Sequence, residues 1–143
     1  MRAIRSYAIA LTLVTAILAA AGPALASRRA TPSQARALTR AVRTSAVGAI
    51  NRVPANRYAV SRVRISTLSR AWAMASLVPT KAFVGSFQPA YFVAVKPAGT
   101  STWVVVDLGS AQVGCGIAPD PVLSDLLGLK GGEQPCPPGE GIS

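Results

Sequence analysis

The stretch YFVAVKPAGTSTWVVVDL, which runs from Tyr91 to Leu108, decides the fold class of this chain. Its two arms, Tyr91–Lys96 and Thr102–Leu108, are rich in aromatic and β-branched residues, and Pro97–Thr100 between them favours a turn. The pattern therefore predicts a β-hairpin. The second arm is apolar on both faces apart from Asp107, so we predict that it is a central strand.

Two further strands are predicted before this hairpin. Arg62–Thr67 alternates between polar and apolar residues, which indicates a half-exposed strand. Trp72–Val78 fits a second strand, although its Ala and Met residues favour strands only weakly and leave a helical turn open. Pro79 ends this segment, and Thr80–Pro89 is predicted to be a loop.

A helix is predicted ahead of these strands. Thr31-Pro32-Ser33-Gln34 combines an N-cap residue, a proline at the first helical position and a glutamine in capping-box position. The helix is amphipathic and is predicted to end near Gly48. Its apolar face carries Ala35, Leu38, Val42, Ala46 and Ala49, and its opposite, solvated face carries Arg36, Arg40 and Arg43.

A second, shorter helix is predicted from Asp120, as its cap, to Leu127, with Gly128 as its stop. Together the elements predict an α+β domain: one N-terminal helix packed on a curved antiparallel sheet of about four strands, then the short helix. The arrangement resembles cystatin-like and related helix-on-sheet folds, a likeness of architecture that implies no activity. We expect this single domain to span residues 31–129, followed by an irregular Gly- and Pro-rich tail over residues 130–143.

Residues 1–26 have the three parts of a secretory signal peptide. A basic start precedes the uncharged stretch Tyr7–Ala21, and Ala24-Leu25-Ala26 offers the small residues that signal peptidase requires. An uncleaved membrane anchor is the alternative, but this apolar stretch falls short of the roughly 20 residues that cross a bilayer. We therefore expect cleavage after Ala26, a polar lead-in over residues 27–30, and a secreted, extracellular protein without a membrane anchor.

Cys115 and Cys136 are the only cysteines of the chain. In an exported protein an even number of cysteines is typical of disulfides, and two cysteines allow a single intramolecular pairing. A metal pair and a redox centre are the alternatives. A metal would need further ligands in a chain without histidine, and redox catalysis favours a close Cys-x-x-Cys pair. We predict a structural disulfide that pins the tail, and no metal site.

The charge of the chain is strongly asymmetric. The net charge is +10, and no acidic residue precedes Asp107. A polyanionic partner is one interpretation, and a solvated cationic surface is the favoured one because the arginines are spread singly. A helix packed on a sheet would point its arginines away from Arg62 and Arg64 of the first strand, so we expect weak affinity for polyanions and no nucleic-acid binding.

Catalytic chemistry is poorly represented in the sequence. The absence of histidine excludes Ser-His-Asp and Cys-His catalysis and imidazole proton transfer. We find no phosphate-binding Gly-rich loop and no dinucleotide fingerprint, so no cofactor is expected. Of the five acidic residues, Asp120 is predicted to be a helix cap, Asp125 to lie on a solvated helix face, and Glu133 and Glu140 to belong to the tail.

Asp107 is the one acid that merits a functional interpretation. Strict alternation would place it on the same strand face as Trp103 and Val105, half-buried beside an arginine of the neighbouring strand. It is then either the anion of a ligand pocket or, as we favour, a strand-end carboxylate that meets solvent or an arginine. Trp72 and Trp103 are predicted to be core residues, because so small a domain needs their apolar area.

Six short segments follow one another between residues 60 and 137: Trp72-Ala73, Trp103-Val104-Val105, Gly109-Ser110, Val113-Gly114-Cys115-Gly116, Asp125-Leu126 and Cys136-Pro137. In this order they resemble a set of small secreted proteins of actinobacteria, mostly uncharacterised. The Trp-Val-Val strand followed by Gly-Cys-Gly is the most specific part. The resemblance implies a shared fold and disulfide, and it implies no activity.

These observations favour a non-catalytic secreted binding or interaction protein, whose partner is a protein or an anionic cell-envelope polymer. We predict no catalytic, cofactor-binding or metal-binding residues. The alternatives are a small hydrolase that works through carboxylates around Asp107, and a cationic binder of anionic cell-surface polymers.

Overall fold

The computed structural model describes residues 27–47, 50–51 and 53–139. The predicted signal peptide, Gly48 and Ala49 of the predicted first helix, and Glu140 of the predicted tail lie outside these residues. As predicted, the described part is an α+β structure with an antiparallel sheet. Its elements in chain order are β1 (Arg28–Arg29), α1 (Pro32–Thr44), β2 (Ala46–Val47), β3 (Ile50–Asn51), β4 (Tyr58–Ile65), β5 (Trp72–Pro79), a 3-10 turn (Lys81–Phe83), β6 (Ala90–Val95), β7 (Val104–Gly109) and α2 (Asp120–Leu127).

The large sheet has five antiparallel strands in the order β1-β4-β5-β6-β7, and β2 and β3 form a separate ribbon. The predicted hairpin is confirmed as β6 and β7. The additional strand is β1, which the sequence predicts only as a polar lead-in. Arg28 and Arg29 pair with Ile65 and Arg64 along the outer edge of β4. A strand of two residues is too short to carry a period-two pattern, so the sequence contains no signal for it.

The prediction that the second arm of the hairpin is a central strand is wrong. β5 lies at the centre of the sheet, and β7 lies at its edge. Both faces of this edge strand are covered, because Val105 is buried in one core and Val106 packs against a second core. A strand that is apolar on both faces is predicted to be buried on both faces. This pattern is the same for a central strand and for an edge strand whose two faces are covered.

The start of α1 forms as the sequence predicts. Thr31 Oγ1 accepts the backbone N–H of Gln34 at 3.3 Å, and Gln34 Oε1 accepts the backbone N–H of Thr31 at 2.9 Å. These reciprocal bonds satisfy backbone donors that a helix N-terminus otherwise leaves without partners. Leu38 and Val42 on the apolar face are fully buried.

The end of α1 differs from the prediction. The helix ends at Thr44 rather than near Gly48, and Ala46 begins β2 with an exposed side chain. The hydroxyls of Thr44 and Ser45 donate to carbonyl oxygens of the last helical turn. Such bonds compete with continuation of the helix, and Ser45 has an extended backbone with ψ of 152°.

Two hydrophobic cores lie on opposite faces of the large sheet. Ala73 and Leu77 of β5 enter the first core, and Met74 between them enters the second. Helix α1 covers the first core and α2 covers the second, so the sheet carries a helix on each face. Trp103 is buried in the first core, which confirms its prediction as a core residue, whereas Trp72 is half-buried and packs against the second core.

Two β-bulges interrupt the alternation of the large sheet. In β4 the register shifts between Ser61 and Arg64, and Arg62 has a φ of +49°. In β7 the register shifts so that Val106 has no partner across the ladder to β6. Each extra residue reverses the faces of the residues beyond it, because side chains alternate with a period of two.

The predicted disulfide joins Cys115 to Cys136, whose Cα atoms lie 5.6 Å apart. Cys115 belongs to the turns between β7 and α2, and Cys136 to the tail beyond α2. Both residues pack in or against the second core. Gly114 beside Cys115 has a φ of +92°, and a Cβ there would lie 3.0 Å from Leu123 Cδ1, so this position requires glycine.

Candidate functional site

Asp107 is half-buried, but the bulge in β7 moves it off the face that strict alternation predicts. Val105 lies in the first core, whereas Asp107 pairs with Val93, which belongs to the second core. The predicted face shared with Trp103 and Val105 is therefore wrong. The extra residue at Val106 is the reason.

The carboxylate of Asp107 makes two contacts with backbone. Its Oδ1 accepts the N–H of Leu108 at 2.8 Å, and its Oδ2 accepts the N–H of Gly114 at 2.6 Å. The bond to Gly114 fastens the turn that carries Cys115 to the end of β7. Backbone donors thus stand where the sequence led us to expect solvent or an arginine.

Asp125 is buried, so its predicted place on a solvated helix face is wrong. Its Oδ2 accepts the Oγ hydroxyl of Ser66 and the backbone N–H of Thr67, both at 2.7 Å. Its Oδ1 accepts the Thr67 hydroxyl at 3.1 Å. The carboxylate thus joins α2 to the turn between β4 and β5.

Asp120 is the first residue of α2 rather than its cap, and Pro119 occupies the N-cap position. The helix begins one residue earlier than predicted because the Pro119 carbonyl oxygen already accepts the N–H of Leu123 at 2.9 Å. The Oδ1 atom of Asp120 is buried and has no hydrogen-bond partner among the described residues. In the tail, Glu133 is exposed and accepts the backbone N–H of Lys130 at 2.9 Å.

A groove of about 640 Å³ lies between β1, β4 and the C-terminal end of α2. Three arginines line it, Arg29 from β1 and Arg62 and Arg64 from β4, and its wall contains no acidic residue. We call it the arginine groove. Its remaining lining residues are Ser27, Val63, Leu127 and Gly128.

Each arginine reaches the groove for a separate structural reason. Arg29 and Arg64 are cross-strand partners, and such partners share a face of the sheet. Arg62 occupies the bulge of β4, and bulges redirect side chains. Arg64 Nη1 donates to the carbonyl oxygen of Leu126 at 3.3 Å, at the helix end whose partial negative charge attracts cations.

Arg29 and Arg62 have guanidinium groups without a hydrogen-bond partner among the described residues, and both side chains are exposed. A guanidinium presents five N–H donors in a planar fork. Two such forks on one concave wall repel each other and attract an anion. The groove can therefore bind the oxygens of a phosphate, sulfate or carboxylate group.

A second cavity of about 210 Å³ continues the arginine groove across the sheet, because Arg62, Arg64 and Leu127 line both. It reaches Ser76 of β5 and Tyr91 of β6, which are cross-strand partners. The Tyr91 side chain is 41% exposed. The cationic arginine groove is thus joined to a second cavity that presents an aromatic side chain.

The arginines of α1 lie on the other side of the sheet, as the sequence predicts for a helix packed on a sheet. Arg36 and Arg40 are exposed there. Arg43, however, is half-buried, and its Nη1 and Nη2 donate to the carbonyl oxygens of Val53 at 2.9 Å and Tyr58 at 2.6 Å. Burial lowers the pKa of Arg43, because desolvation disfavours the charged form. Its predicted place on the solvated face is therefore wrong.

The sequence predicts Arg62 and Arg64 together on the polar face of a strand, and it does not indicate that Arg29 and Ser27 lie beside them. No local pattern marks the two missed residues, because their place in the groove depends on the pairing of β1 with β4. The φ of Arg62 also depends on the register between β4 and β5, which is a tertiary property.

Within residues 27–47, 50–51 and 53–139, no group of three or more His, Cys, Asp or Glu side chains is placed to hold a metal ion. In the same part of the chain, no helix combines the length and apolar character needed to cross a membrane. No protein-family model, curated protein or solved structure matches the chain.

Proposed function

We propose that this chain is a secreted, non-catalytic binding protein that holds an anionic ligand in the arginine groove. The observation that carries the proposal is the convergence of Arg29, Arg62 and Arg64 on one concave wall that has no acidic residue. Like charges held together cost free energy in the ligand-free protein. A bound anion removes that cost, which makes the groove selective for negative charge.

We infer the chemistry of the ligand from the arginine groove at one end and from the second cavity that continues it at the other. At one end, guanidinium forks suit the paired oxygens of phosphate, sulfate or carboxylate groups. At the other, the exposed ring of Tyr91 offers a flat apolar face on which a sugar ring can pack. The groove is open and crosses more than one strand, so we infer an elongated ligand, an anionic polymer of the cell envelope.

Only some of the positively charged side chains of this protein lie at the arginine groove. Arg36 and Arg40 of α1 lie on the opposite side of the sheet. The molecular surface as a whole should therefore attract polyanions only weakly, as the sequence predicts. A local cluster of three arginines supports binding of modest affinity that weakens as salt rises.

The predicted export supports this proposal. The predicted signal peptide would deliver the chain to an oxidising compartment, and the Cys115–Cys136 disulfide is compatible with an extracellular protein. The resemblance to small secreted actinobacterial proteins points to the same compartment.

The contacts of the acidic residues support a non-catalytic role. The oxygens of Asp107 and Asp125 are engaged with backbone and hydroxyl donors that hold turns in place. Hydrolysis by carboxylates requires two acids that face each other across a substrate, about 5 to 10 Å apart. The contacts of Asp107 and Asp125 favour a structural role over hydrolysis by carboxylates.

The fold by itself does not favour one class of function over another. A cystatin-like arrangement is a proposal of shape alone, supported by α1 on one face of an antiparallel sheet. Helix-on-sheet architectures serve inhibitors, binding modules and enzymes alike, so the function rests on the arginine groove.

The test is titration of the mature protein with fluorescently labelled dextran sulfate, with neutral dextran as the ligand control. We expect Arg62→Ala to weaken binding about tenfold at low ionic strength, because it removes an unengaged guanidinium from the groove wall. Arg36→Ala removes the same charge from the exposed face of α1, and we expect it to change the affinity by less than about twofold.

Equal losses in the two variants would show attraction to net charge alone and would contradict a site in the groove. Absence of binding in the unchanged protein would contradict the proposal as well. Separate titrations with polyphosphate and with polyglutamate distinguish phosphate from carboxylate as the preferred group.

A further inference from the structure

We propose that removal of the signal peptide completes the arginine groove by placing the α-ammonium group of Ser27 in its wall. The inference rests on the proposed function and on the predicted cleavage after Ala26. Signal peptidase adds water across the Ala26–Ser27 amide bond. Ala26 leaves as the carboxylate end of the leader, and the Ser27 nitrogen becomes an amine that takes a proton from solvent.

The position of Ser27 carries the inference. Ser27 lines the arginine groove, and its Oγ donates to the carbonyl oxygen of Leu126 at 3.5 Å. The α-nitrogen belongs to the same small residue as this hydroxyl, so the two lie close together. Arg28 and Arg29, which follow directly, are paired with β4 and hold Ser27 beside the end of α2. The new charge therefore forms at a fixed place.

The groups around Ser27 are mostly cationic. β1 contributes Arg29, β4 contributes Arg62 and Arg64, and α2 presents the Leu126 carbonyl at its C-terminal end. The carboxylate of Asp125 on α2 is engaged with the turn between β4 and β5. Cleavage thus adds a fourth positive charge to a wall that already holds three, and it does so only in the mature protein.

Because of the composition of the chain, the α-amino group should titrate in a pH range that differs from the ordinary ranges of its carboxylate, lysine and tyrosine side chains. The chain has no histidine, and both cysteines are joined in the disulfide. An α-amino group ordinarily titrates near 7.7 to 8.0, carboxylates near 4, and lysine and tyrosine side chains near 10. Loss of the α-amino proton removes positive charge from the groove. Affinity for an anion should therefore fall as the pH rises through this range.

The experiment uses the mature chain that begins at Ser27 and dextran sulfate, whose sulfate esters stay charged throughout. We expect binding to be about fivefold weaker at about pH 9 than at about pH 6, at low ionic strength. A chain with Gln inserted before Ser27 cyclises to uncharged pyroglutamate, and it should bind weakly at both pH values. A chain with Gly inserted there keeps an ammonium group and should keep the pH dependence.

The outcomes separate this inference from the proposed function. A flat pH profile in the mature chain, with binding still sensitive to Arg62→Ala, would overturn the inference and leave the function standing. Insensitivity to Arg62→Ala would overturn the function itself. Mass spectrometry of the exported protein should give Ser27 as the first residue, and any other first residue would also overturn the inference.

Discussion

The carboxylate of Asp125 ties α2 to the turn between β4 and β5 by hydrogen bonds. It accepts from Ser66 and Thr67, and the Ser66 Oγ in turn accepts the backbone N–H groups of Leu68 at 3.2 Å and Ser69 at 3.1 Å. Asp125 and Ser66 are buried, so water is a poor substitute for either partner. Removal of one member leaves several donors without an acceptor.

We expect Asp125→Ala to lower the free energy of unfolding by about 3 kcal/mol, because buried donors lose their acceptor. Asp125→Asn should cost less, about 2 kcal/mol, since one carbonyl oxygen remains while the new amide group faces donors. The measurement is urea unfolding followed by tryptophan fluorescence. Glu133→Gln, at an exposed carboxylate, is the control and should stay within about 0.5 kcal/mol. Equal effects of Asp125→Ala and the control would refute the structural role.

Among the elements, β4 combines a strained backbone with the wall of the arginine groove, the proposed binding site. Arg62 adopts a φ of +49° within the bulge, a conformation that costs a residue with a side chain roughly 1 to 2 kcal/mol. The same bulge places the Arg62 guanidinium in the arginine groove. Strain at a position that also lines the proposed binding groove is the pattern expected where function is favoured over stability.

Two substitutions of Arg62 that remove the same charge should have the same effect on binding and different effects on stability. Arg62→Gly and Arg62→Ala both remove the guanidinium, and both should weaken binding of dextran sulfate about equally. Arg62→Gly should also be more stable than Arg62→Ala by about 1 kcal/mol in urea unfolding, because glycine adopts positive φ without a steric penalty. At Ser61, which precedes the bulge, the order of stability should reverse, so that Ser61→Ala is more stable than Ser61→Gly. The same order at both positions would show that the bulge is not strained.

At the scale of the whole molecule, the disulfide holds the second core closed. The loop between Cys115 and Cys136 contains all of α2, and the buried residues of that helix form much of the second core. The first core, beneath α1, includes neither cysteine. Loss of the bridge should therefore act mainly on the face of the sheet that also carries the arginine groove.

We expect the double variant Cys115→Ser, Cys136→Ser to lose about 3 kcal/mol of unfolding free energy, the usual value for a loop of this size. The reduced unchanged protein should lose a similar amount in urea unfolding. Addition of reductant to the double variant is the control and should have no effect. A loss below about 1 kcal/mol would contradict the idea that the bridge holds α2 in place.

Much of the fold could be predicted because its signals are local. The capping box at Thr31 and Gln34, the hairpin arms and the stop at Gly128 each need only neighbouring residues. The two bulges could not be predicted, since a register shift is a relation between strands. Asp107 shows the consequence, because strict alternation assigned it to the wrong face.

By itself, the sequence determined the α+β class, the single disulfide pairing and the absence of histidine chemistry, because composition and short-range pattern suffice for each. The tertiary structure alone decided which basic residues act together. Arg29 and Ser27 join Arg62 and Arg64 only because β1 pairs with the edge of β4 and α2 ends beside them. Charges distant in sequence interact through space, and distance in space is set by strand pairing and helix packing rather than by any local pattern.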